Sequence, residues 1–130
     1  MKVLFLAACL SLSTPTLAHD GHGDLPGSVA APHGGKVLVL TDLYLEVVKT
    51  GTTLKVYPLT HDLKTIATSE VKLTAKIDLP KQKEPTPAAI STGGDAWTIE
   101  VDAKNARRFT VLFNVGFKGE NGNTKYTVER

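Results

Sequence analysis

The chain has almost no sulfur. Its single cysteine is Cys9 and its single methionine is Met1, and both fall inside an apolar N-terminal stretch that reads as a removable leader. Without that stretch the chain contains no thiol and no thioether. This excludes disulfide staples, thiolate nucleophiles, zinc-finger chemistry and methionine-rich Cu(I) sites. Runs of one charge are missing as well. The net charge is +2, and the Lys and Arg residues alternate with acids, so neither nucleic acid nor an anionic membrane is expected as the main partner. Catalytic signatures are missing too: there is no Gly-x-Ser-x-Gly, no phosphate loop and no His-Glu-x-x-His, and the chain is read as a non-enzyme.

What is present begins with the leader. The chain has 130 residues, 42% of them hydrophobic and 22% charged, which suits one domain with its own core. Met1-Lys2 gives a short positive start and residues 3–12 form an apolar run. Ser13-Thr14-Pro15 breaks that run, and Thr16-Leu17-Ala18 fits a small-x-small cleavage signal. A signal peptide over residues 1–18 and a periplasmic destination follow as expectations. The run is too short to span a bilayer, so no membrane insertion is expected once it is removed. Leu6-Ala7-Ala8-Cys9 resembles a lipobox. Cys9 stands early for acylation, with further apolar sequence behind it, so removal of the signal peptide is the reading adopted.

Cleavage after Ala18 makes His19 the first residue of an arm, residues 19–32, that is rich in His, Asp and Gly. An N-terminal histidine offers its amine and a ring nitrogen to one ion, and the amine titrates near neutrality. His22, Asp20 and Asp24 stand ready to add ligands. Such a nitrogen-rich set suits Cu(II), Zn(II) or Ni(II). Two more histidines follow, His33 before Gly34-Gly35 and His61 before Asp62. His33, Glu46, His61 and Asp62 complete the candidate metal set with His19 and His22. Glu46 has three possible roles: a ligand, an acid that orients an imidazole, or a plain surface residue.

From His33 onward, period-two alternation predicts strands over residues 36–41, 43–49, 53–59, 71–77, 96–102, 108–118 and 125–129. Inward rows are expected at Leu43, Leu45 and Val47, at Val71, Leu73, Ala75 and Ile77, and along Phe109, Val111, Phe113, Val115 and Phe117. Pro58 suggests an edge or a strand end. Residues 78–89 read as a Pro- and Lys-rich loop, whose segment 81–85 is a candidate contact if the domain is an interaction module. Residues 119–123, with Asn121-Gly122, read as a hairpin loop. Seven or eight short strands and no helix predict an all-β fold, an antiparallel β-sandwich of immunoglobulin-like architecture over residues 33–130.

His33-Gly34-Gly35, Tyr44-Leu45-Glu46-Val47-Val48 and the run Leu54-Lys55-Val56-Tyr57-Pro58-Leu59-Thr60-His61-Asp62 together resemble a group of small exported proteobacterial proteins. They also resemble the small N-terminal β-domain of periplasmic adaptor subunits in heavy-metal RND efflux systems. The likeness covers roughly residues 33–64. It implies a periplasmic β-domain tied to metal-cation resistance or homeostasis, with an efflux-system component as a possible partner. It points to His33, Glu46, His61 and Asp62 as the residues of interest. Leu63 stands where the family turn has glycine. The chain has no coiled-coil hairpin and no adaptor barrel, so it is not itself a pump adaptor. The competing expectation is a metal-independent periplasmic interaction module.

Overall fold

A computed structural model describes residues 30–130; the leader and the His19–His22 part of the arm lie outside the described residues. The strands are β1 (Lys36–Val39), β2 (Tyr44–Thr50), β3 (Thr53–Leu59), β4 (Val71–Asp78), β5 (Thr86–Pro87), β6 (Ile90–Gly93), β7 (Ala96–Glu100), β8 (Arg108–Phe117) and β9 (Glu120–Glu129). They form two antiparallel sheets, one ordered β1-β2-β3-β7-β6 and the other β5-β4-β8-β9. This is the expected all-β sandwich.

Alternation decides which face of each strand is buried. Leu45, Val47, Leu54, Val56, Trp97 and Ile99 line the inner face of the five-stranded sheet, each at most 3% exposed. Val71, Ala75, Ile77, Phe109, Val111, Phe113, Val115 and Val128 answer them from the other sheet. Burying large side chains of this kind contributes about 1.5–3 kcal/mol each, so these rows fix the register on both sides. β3 leaves for the second sheet through the turn at residues 60–64 and a 3-10 turn at Thr68–Glu70. Thr68, buried there, donates its hydroxyl to the Gly94 carbonyl at 2.8 Å, tying this crossover to the β6–β7 turn. Leu63 keeps the left-handed backbone that glycine favours, at φ 63°. Pro58 lies at the end of β3, past Val56, the last residue that β7 pairs with.

Three local expectations change. The 78–89 segment contains the two-residue strand β5, held by Lys76 opposite Pro87. Residues 90–93, where the alternation predicts no strand, form β6. The β8–β9 hairpin turns at Lys118-Gly119, both at positive φ (50° and 80°), not at Asn121-Gly122. Phe117 therefore faces Glu120, Val111 faces Tyr126 and Phe109 faces Val128. A turn centred on Asn121-Gly122 would have slid Val128 away from Phe109. The long-range apolar rows override the local Asn-Gly signal. Gly122 serves packing instead. A Cβ there would come within 2.8 Å of Leu40 Cδ2, so its bare backbone seats the residue that follows β1.

Candidate functional site

The outer face of the five-stranded sheet holds the site. Leu45 and Val47 point into the core, so Glu46 between them must point out. It is nevertheless 0% exposed, because residues 31–35 fold over it. The Gly34 amide bonds the Ala31 carbonyl at 3.1 Å, and Gly34 takes φ +73°, a conformation that glycine adopts without steric cost. Gly35 is needed for space: a Cβ on it would fall 2.4 Å from the Val47 carbonyl oxygen. The Gly-Gly pair thus gives the chain one left-handed step and one close approach, and the turn lands on the carboxylate.

Glu46 accepts three hydrogen bonds from the turn. Its Oε1 takes the His33 amide at 2.8 Å and the Gly35 amide at 2.9 Å. Its Oε2 lies 2.7 Å from His33 Nδ1. A carboxylate only accepts, so the contact places a ring hydrogen on Nδ1; in the neutral imidazole that tautomer carries its lone pair on Nε2. The ring is clamped from the side as well. Tyr57, opposite Glu46 in the β2–β3 register, stacks on His33 with centroids 3.7 Å apart and planes 8° apart. The His33 side chain keeps 30% of its surface exposed. The result is one fixed imidazole, oriented by a buried acid and backed by a phenol ring.

Of the candidate residues, the structure brings His33 and Glu46 together. Glu46 takes the orienting role, and its oxygens are spent on the turn. His61 packs against Tyr44, with centroids 4.8 Å apart and planes tilted by 47°; Tyr44 shares the outer face of β2 with Glu46. Asp62 is exposed in the turn beyond. Among the described residues, no group of three or more His, Cys, Asp or Glu side chains gathers to hold an ion. His19 and His22 lie outside the described residues. Sequence reasoning missed Tyr57 as a site residue. The signal was there: counting back from the turn at Gly51 sets Tyr57 across from Glu46.

Comparison with known protein families, with curated proteins and with solved structures returned no match.

Proposed function

We propose that this is an exported, periplasmic protein that binds a divalent transition metal, Cu(II), Zn(II) or Ni(II), through histidine nitrogen. In this reading it serves a heavy-metal efflux or homeostasis system. The observation that supports it is the 2.7 Å contact between His33 Nδ1 and Glu46. An acid that holds one ring nitrogen fixes the tautomer and the ring orientation and leaves the other nitrogen to a metal, the arrangement found around metal-ligating histidines. A cation on Nε2 also offsets the cost of a carboxylate that has no exposed surface. His19, its amine and His22 supply further ligands in this scheme. The residues between His22 and His33 span up to roughly 35 Å when extended, ample to return to the site.

Titration calorimetry on correctly processed protein tests the reading. Binding is expected with at least one of the three ions, weakening as pH falls through the range where imidazoles protonate. His33→Ala should abolish it. An extra N-terminal Met should weaken it more than His61→Ala does. No heat and no thermal shift with any of the three ions refutes the proposal. A second reading, a metal-independent interaction module, rests on the completeness of the Glu46 network, which by itself accounts for both glycines. Such a module would ignore chelators.

A further inference from the structure

The opposite face of the sandwich carries a second feature. Outside the four-stranded sheet lies an open groove of about 690 Å³, lined by Thr74, Lys76, Leu112, Asn114, Asn123 and Lys125 among others. The register explains its shape. Thr74, Asn114 and Asn123 lie in one cross-strand row, and Lys76, Leu112 and Lys125 in the next. Short polar side chains and Leu112 make the floor. The two lysines rise from strands on either side of β8, their backbones roughly 10 Å apart. Beyond Asn114 the floor stays low because Gly116 has no side chain; a Cβ there would meet Asn121 Oδ1 at 3.2 Å. Lys72, opposite Gly116, adds a third cation to this half of the face.

No acid stands in the cross-strand rows of these three lysines, and none of the three enters a salt bridge among the described residues; Glu70 and Glu120 flank the near end. Asp78 lies at the far end, opposite Thr110, and Glu129 faces Arg108 at 3.5 Å. Among the described residues, the floor amides and hydroxyl of Asn114, Asn123 and Thr74 enter no side-chain hydrogen bond, whereas Thr110 and Thr127, one row past Leu112, pair with each other. The groove thus presents ammonium groups at its rims and both donors and acceptors on its floor.

We infer that this groove binds an extended acidic peptide segment of a partner protein. Side-chain amides both donate and accept, which matches the alternating N–H and C=O of a peptide backbone. The lysines meet its carboxylates. A glycan or a single-stranded nucleic acid fits less well, because the one aromatic residue of the lining, Phe113, is buried in the core at 2% exposed and offers no ring face for a sugar or a base to stack on. The groove does not depend on the metal reading, since it lies on the other sheet.

Fluorescence anisotropy of a labelled hexaglutamate peptide at low salt tests this directly. Binding should weaken about tenfold or more in Lys76→Glu/Lys125→Glu, and weaken steeply with added salt. The charge-matched control Lys49→Glu/Lys55→Glu, on the other sheet, should stay within about twofold. Asn114→Ala/Asn123→Ala should weaken binding about threefold or more with no change in charge. No binding at low salt, equal loss in the two lysine pairs, or tighter binding of polyphosphate or a heparin oligosaccharide than of the peptide overturns the inference. Chelator should change none of these results.

Discussion

Glu46 is the most informative residue to change. Its carboxylate receives three hydrogen bonds, and bonds to a charged group contribute about 1.5–3 kcal/mol each. Desolvating the acid opposes them by several kcal/mol. Glu46→Ala removes all three bonds but lets the freed turn rehydrate, so the net cost comes to about 2–4 kcal/mol. In a domain of this size that lowers Tm by roughly 10–25 °C. Glu46→Gln separates stability from tautomer. Its Oε1 still accepts the two backbone amides, but its NH2 now faces His33 Nδ1, donor against donor. The ring relieves this by moving its hydrogen to Nε2, which removes the outward lone pair. Thermal unfolding followed by circular dichroism, with nitrogen-15 NMR of the imidazole, reads both effects. Glu46→Gln should lose about 1–2 kcal/mol, carry the Nε2–H tautomer and lose its metal affinity while remaining folded. A Glu46→Ala shift under about 3 °C, or an Nε2–H tautomer in the unsubstituted protein, would refute the lock.

Two glycine substitutions should differ sharply in cost. Gly35→Ala drives a methyl against the Val47 carbonyl and should cost about 2–3 kcal/mol in urea unfolding. Gly122→Ala meets only the end of the Leu40 side chain and should cost about 1 kcal/mol or less; the reverse order would contradict the packing described. Lys118 holds φ 50° in a two-residue hairpin turn, so Lys118→Asn should stabilise by about 0.5–1 kcal/mol. A loss of stability there would argue for a different turn.

The core rows were legible because burial imposes a period of two, and Leu45, Val47, Phe109 and Phe113 obey it. The β8–β9 turn was not, since Asn121-Gly122 is a strong local signal and the partners that overrule it lie across the sheet. β6 ends in Gly93 and carries Ser91 and Thr92 where apolar residues would have marked a strand. His33 and Glu46 were both visible as candidates. That Glu46 orients an imidazole was one of three roles left open; the choice among them was not legible, because it depends on residues 31–35 folding back over the outer face, which no alternation pattern encodes. The burial of Glu46 followed from that missed fold-back.

The His33 lock draws on one unbroken meander: the contact to Glu46 closes only thirteen residues of chain, and Tyr57 arrives by the next hairpin. The second sheet is assembled otherwise, since β4 meets β8 only after β5, β6 and β7 have been threaded between them. Short closures form early and distant pairings set the pace of folding. The imidazole is therefore held by residues contiguous along the chain, His33, Glu46 and Tyr57 within β1 to β3 and the turn before them.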